Sequence, residues 1–186
     1  MCYFHAKDIA HRDLKLENIL YIKEGVIKVI DFGFAVQSKE KQRTFCGTPT
    51  YMAPEIVKRI PYKGSEVDVW ALGIMVYRML TGTYPFMAKT DKELYKKIIC
   101  GSFEASAIQD ESGRDLVSRM LRVSPAERPT AAEVQSSHID SMPSLASICG
   151  ISQRRSCFII VMRGAKNSFI ILKGCKLESV KSSGQG

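Results

Sequence analysis

The chain has 186 residues, 45% of them hydrophobic and 25% charged, which suits one globular domain with a buried core. Its formal net charge is +8, but the excess is concentrated near the end, where from Gln153 onward seven basic side chains face one acid, Glu178. The body is therefore close to neutral and gives no reason to expect a nucleic-acid surface, and the apolar run at 157–162 is far short of the ~20 residues of a membrane span.

Six cysteines, Cys2, Cys46, Cys100, Cys149, Cys157 and Cys175, are scattered without a CxxC pair, and the three histidines are not spaced as zinc ligands. With no signal peptide read at the start, a reduced intracellular setting, the cytoplasm, is expected.

Residues 1–10 read as the last turns of an apolar helix, and 11–18 as a polar loop. Two β-rich runs, Ile19-Leu20-Tyr21-Ile22 and Val26-Ile27-Lys28-Val29-Ile30, flank Glu24-Gly25 and predict a hairpin. The polar stretch that follows carries Gly33, Gly47, Pro49 and Pro54. It is longer than an ordinary connection, and loops of that length are usually functional. Over 66–80 the pattern turns helical, with Val69, Leu72, Gly73, Val76 and Leu80 at three- and four-residue steps. Further helices are predicted over 91–100 and 112–121, the latter with Leu116, Met120 and Leu121 facing inward. Thr130 with Glu133 three residues on forms a capping box for a fourth. Beyond about His138 the helical order fades. Residues 157–162 and 168–172 could pair as a second hairpin, between Ser-, Gly- and Lys-rich flanks that read as mobile.

Three strings carry chemistry: His11-Arg12-Asp13-Leu14-Lys15-Leu16-Glu17-Asn18, Asp31-Phe32-Gly33 and Ala53-Pro54-Glu55. An isolated Asp-Phe-Gly would read as an ordinary turn. In this order and company the three match the catalytic-loop, metal-loop and activation-segment signatures of protein kinases. From about residue 1 to 139 the chain resembles the catalytic domain of eukaryotic serine/threonine protein kinases. The wording Tyr62-Lys63-Gly64-Ser65-Glu66-Val67-Asp68-Val69-Trp70 looks closest to the calmodulin-dependent and AMP-activated kinase group.

The resemblance implies a mainly α fold, a kinase-like C-terminal lobe that is helical with a short β-hairpin and stands without the N-terminal β lobe. A basic, poorly ordered tail is expected over 140–186. It implies transfer of the ATP γ-phosphate to serine or threonine hydroxyls of protein substrates, with Mg2+. Phosphoryl transfer needs an in-line hydroxyl and neutralised phosphate charge more than covalent work by the protein. On that reading Asp13 takes the hydroxyl proton, Lys15 stabilises charge on the moving group and contacts the nucleotide, and Asn18 and Asp31 supply the hard oxygen ligands magnesium prefers. Gly33 is expected to free the backbone beside Asp31 to turn. Lys15 and the segment Gly47-Thr48-Pro49-Thr50-Tyr51-Met52 go with serine/threonine specificity in similar kinases, with Thr48 expected to touch Asp13 and Lys15.

Thr44 stands where similar kinases carry an activating phosphate, placed by an upstream kinase and paired with Arg12; the bland alternative is an exposed loop threonine. Cys46 reads as a small apolar residue. Asp68 is expected to hold the catalytic-loop backbone, and Arg128 to pair with Glu55. A glycine-rich phosphate loop and its strand lysine do not appear, and Lys28 comes after the catalytic loop. These 186 residues alone are therefore expected to bind ATP poorly, to be catalytically weak or dead, and to expose an apolar patch. The rival reading is a noncatalytic kinase-lobe binding module or decoy.

Overall fold

The computed structural model describes residues 1–22 and 26–136. The chain opens on a one-turn helix, α1 (Cys2–His5), and a two-residue strand, β1 (Ile9–Ala10). A tight turn over Leu16–Asn18 leads into β2 (Ile19–Ile22), then β3 (Val26–Val29) and β4 (Val36–Gln37). After a second such turn, Pro49–Tyr51, the helices follow: α2 (Pro54–Val57), α3 (Gly64–Thr81), α4 (Asp91–Cys100), α5 (Glu111–Met120) and α6 (Ala131–Ser136). The readings for the tail, the second hairpin included, lie outside the described residues.

β2 and β3 pair antiparallel in the register Ile19↔Val29 to Ile22↔Val26. The start departs from the expected helix. Helix α1 lasts one turn, Asp8 adopts a left-handed φ of 57°, and Ile9 and Ala10 then pair with Gln37 and Val36. Non-local strand pairing has overridden an apolar local pattern. The long polar stretch likewise contains β4, the Pro49–Tyr51 turn and α2, whose Pro54 sits in the first turn, where a missing N–H costs nothing.

Helix α3 begins two residues before the predicted start and ends at Gly82, whose φ of 76° closes it through its N–H to the Arg78 carbonyl at 2.8 Å. The predicted apolar stripe does not describe its buried surface. Val69 and Gly73 are buried, but Leu72, Val76 and Leu80 are only half-buried, whereas Val67, Trp70, Ala71, Ile74, Met75 and Tyr77 are buried. A helix enclosed by other elements is apolar on most sides and shows no single stripe. Trp70, fully buried, stacks on Phe86 with centroids 5.7 Å apart. Helix α4 keeps its predicted bounds. Helix α5 is shifted by one residue and capped by Asp110, which accepts from the Gly113 N–H at 2.5 Å. At α6 the capping box is formed: the Thr130 N–H donates to Glu133 Oε2 at 2.7 Å, and the Glu133 N–H to Thr130 Oγ1 at 3.2 Å. Among the described residues no helix is long and apolar enough to cross a membrane.

Candidate active site

The catalytic-loop segment is hung from the first turns of α3. Asp68, buried there, accepts from the His11 N–H through Oδ2 and from the Arg12 N–H through Oδ1, both at 2.8 Å. Its Oδ2 also accepts from His5 Nε2 at 3.0 Å. These bonds hold Arg12 at a left-handed φ of 65°, a conformation that costs a non-glycine residue about 1–3 kcal/mol. His11 adds a second tie. Its Nδ1 accepts from the Asp13 N–H at 3.3 Å, so Nε2 carries the proton and donates to the Ile30 carbonyl at 3.0 Å.

Asp13 is buried and ringed by donors. Oδ1 accepts from the N–H and the hydroxyl of Thr48, each at 2.9 Å. Oδ2 accepts from Lys15 Nζ at 2.9 Å and, at the long distance of 3.5 Å, from Asn18 Nδ2. The Thr48 hydroxyl also accepts from Lys15 Nζ at 3.0 Å. One hydroxyl thus bridges carboxylate and ammonium, joining two segments 33 to 35 residues apart.

Asn18 is buried and donates through Nδ2 to the Asp13 carbonyl at 2.9 Å. Its own carbonyl accepts the Ile30 N–H at 2.9 Å, so the β2–β3 hairpin closes on itself and delivers Asp31 immediately beyond the loop. Asp31 is exposed, and its Oδ1 accepts the Gly33 N–H at 3.3 Å. The turn here is made differently from the expectation. Asp31 itself takes the left-handed φ, 61°, and Gly33 does not. What Gly33 supplies is space: a Cβ there would lie 3.2 Å from Asp31 Oδ1. An Asp tolerates the left-handed region better than most residues.

Thr44 is exposed, and its carbonyl accepts from the Tyr62 hydroxyl at 2.7 Å. Arg12 donates through Nε to the Phe34 carbonyl at 2.7 Å, while one terminal nitrogen is buried without a hydrogen-bond partner among the described residues. Arg12 also interacts with Tyr62, whose pKa is pushed up to about 12, by burial first and then by the neighbouring Cys46. Cys46 is buried 3.8 Å from the Tyr62 hydroxyl. Farther off, Arg128 grips Glu55 with two prongs at 2.6 and 2.7 Å, both side chains 1% exposed.

A family model, the protein kinase domain, matches residues 1–139. The chain belongs to the protein kinase family. Sperm motility kinase 3A of Mus musculus is 42% identical over 136 residues, covering 72% of this chain and 27% of the relative. A putative serine/threonine-protein kinase of Saccharomyces cerevisiae is 42% identical over 136 residues, 71% of this chain and 15% of the relative. Protein kinase kin1 of Schizosaccharomyces pombe is 41% identical over 136 residues, 72% and 15%. The chain thus spans about a quarter or less of these relatives.

The structure brings Asp13, Lys15, Asn18 and Thr48 into one hydrogen-bonded group and ties Arg12 to Asp68. Asp31 is tethered next to that group through Ile30 without a hydrogen bond to it. Sequence reasoning passed over several residues that buttress the site. Tyr51 is buried, accepts from the Leu16 N–H at 3.4 Å and from Arg78 at 3.3 Å, and has its pKa pushed up to about 12, mainly by burial. Gly64 lets α3 approach β1, since a Cβ there would lie 2.3 Å from the Ala10 Cβ. His5 carries a contact to Asp68 that no local pattern announces. For Gly64 a signal existed, a glycine at a helix start; for Tyr51 and His5 the partners lie 27 to 63 residues away.

Proposed function

We propose that this protein transfers the γ-phosphate of ATP to serine or threonine hydroxyls of proteins, and that residues 1–139 are the C-terminal lobe of its catalytic domain. The observation that carries this reading is the Thr48 hydroxyl held between Asp13 and Lys15, which shapes a pocket for a small aliphatic hydroxyl beside a proton acceptor. Asp13 accepts the substrate proton as the hydroxyl oxygen attacks. Lys15, already ion-paired at 2.9 Å, offsets negative charge gathering on the transferred group. The serine/threonine relatives and the family match support the same chemistry.

The donor set fits magnesium. Asn18 spends its amide N–H on the Asp13 carbonyl, and among the described residues no hydrogen bond reaches its side-chain oxygen. Asp31 presents an exposed carboxylate. Both are the hard oxygen donors the ion prefers, and they are the residues that would hold it. When bound, the metal neutralises phosphate charge and orients the phosphates. The other parts of the reading are an intracellular setting, a place near the calmodulin-dependent and AMP-activated kinases argued from residues 62–70, and a basic tail over 140–186.

The test is transfer of label from ATP to serine and threonine peptides by the full-length protein. Asp13→Ala is expected to lower the rate at least tenfold, in the range that positioned acid–base groups contribute. A retained rate above about a tenth removes Asp13 from its role.

A further inference from the structure

The last turn of α3 places an arginine beside the catalytic loop. Arg78 donates through one terminal nitrogen to the hydroxyls of Tyr51 (3.3 Å) and Tyr84, and its guanidinium carbon lies 4.3 Å from the centre of the Tyr84 ring. Tyr51 is fixed in turn by the Leu16 N–H and by edge-to-face contact with Tyr84 at 5.7 Å. The cation is therefore held in place by neutral groups. Its one acidic neighbour among the described residues is Glu17, whose Oε1 is 3.5 Å away. That is long for a charge-assisted bond, which closes to about 2.7–2.9 Å. Glu17 is also the more exposed partner, 57% against 32% for Arg78.

Arg128 shows what a saturated arginine looks like in this fold. It too lies over an aromatic ring, but it makes two short bonds to Glu55 and three to backbone carbonyls at 1% exposure. At Arg78 no hydrogen bond reaches Nε or the second terminal nitrogen among the described residues. Those donors form half of a planar fork that matches a carboxylate or a phosphate.

The position matters as much as the charge. Glu17 follows Lys15 by two residues and precedes Asn18, and Tyr51 belongs to the turn that begins right after Thr48. Arg78 is thus linked to the acceptor site through Tyr51, which Leu16 binds, and Leu16 adjoins Lys15, the ion-pair partner of Asp13. We propose that Arg78 is a specificity-determining residue that binds an acidic or phosphorylated side chain close to the acceptor residue of a protein substrate, and that Glu17 occupies this place until substrate displaces it. The inference deepens the kinase reading and rests on it.

The experiment uses the full-length protein and serine peptides that carry glutamate, phosphoserine, alanine or arginine at each flanking position in turn. Phosphate transfer and fluorescence-anisotropy affinity are both measured. At one flanking position glutamate or phosphoserine is expected to outperform alanine about twofold to fivefold, the range of a partly exposed ion pair; the two arms tell a carboxylate reader from a phosphate reader. Arg78→Ala should bring that ratio to one, Arg78→Lys should retain part of it, and Arg78→Glu should turn the preference toward arginine. Glu17→Gln should raise it, because a competing carboxylate is gone. Arg78→Lys and Arg78→Glu keep the test decisive if the alanine variant folds poorly, since loss of structure cannot reverse a charge preference.

A ratio that is the same in wild type and the Arg78 variants, or no preference at any position, overturns the proposal. Asp13-dependent transfer with such a flat ratio overturns this inference and leaves the kinase reading standing. Arg78-dependent selection of acidic peptides in the anisotropy arm without transfer does the reverse.

Discussion

Glu55 and Arg128 lie 73 residues apart, and each is costly to bury alone. Arg128 answers the carboxylate with two prongs and the carbonyls of Glu66, Arg122 and Val123 with its remaining donors, so little of either charge is left uncompensated. Glu55→Ala should therefore destabilise the protein by about 3–5 kcal/mol in urea unfolding, because it strands a buried cation. Breaking the exposed Arg119–Asp115 pair, spaced i to i+4 at 2.9 Å, should cost no more than about 0.5 kcal/mol in the same assay. Thr44 poses the residue-scale question of activity. Arg12 has a buried nitrogen without a hydrogen-bond partner among the described residues, the Tyr62 hydroxyl is anchored on the Thr44 carbonyl, and a phosphate on Thr44 would add roughly −1.5 to −2 charges. Thr44→Ala is expected to lower peptide phosphorylation by the full-length protein and Thr44→Glu to preserve part of it. Indifference to both would discard the switch.

Among the elements, the capping box of α6 was legible because both partners sit within four residues. The Asp110 cap was equally local, three residues before the glycine it caps, but the predicted helix start at 112 hid it. The contact of α3 with β1 was not legible at all. Gly64 looks like a helix-opening glycine, yet its function depends on Ala10, 54 positions earlier. Gly64→Ala should cost about 1–3 kcal/mol by overpacking. Ala10→Gly should recover part of that loss in the double mutant, whereas a penalty independent of residue 10 would assign the cost to local backbone preference. The same contact bears on the site, because β1 leads directly into His11 and Asp68 of α3 holds it.

On the scale of the whole molecule, several segments converge on the first turns of α3: the end of α1 through His5, the catalytic loop through His11 and Arg12, and Arg128, which bonds the Glu66 carbonyl and carries Glu55 of α2 with it. Stability should respond to pH accordingly. Burial raises Tyr51 and Tyr62 from the ordinary value of 10 to about 12, so the folded state holds these protons more tightly than the unfolded one. Their contribution is complete below pH 10 and is lost as pH rises from 10 toward 12. The urea midpoint should fall across that window, less steeply in Tyr62→Phe; equal slopes would deny Tyr62 this part. By itself the sequence determined the hairpin, helix α4, the capping box and the order of the three chemical signatures, since these are short-range matters of turn chemistry, periodicity and spacing. Only the tertiary structure decided that Asp31 rather than Gly33 bends left-handed, which sides of α3 are buried, and that Arg78 stands next to Glu17. Each of those depends on which distant segments are packed together, and distance along a chain carries no record of distance in space.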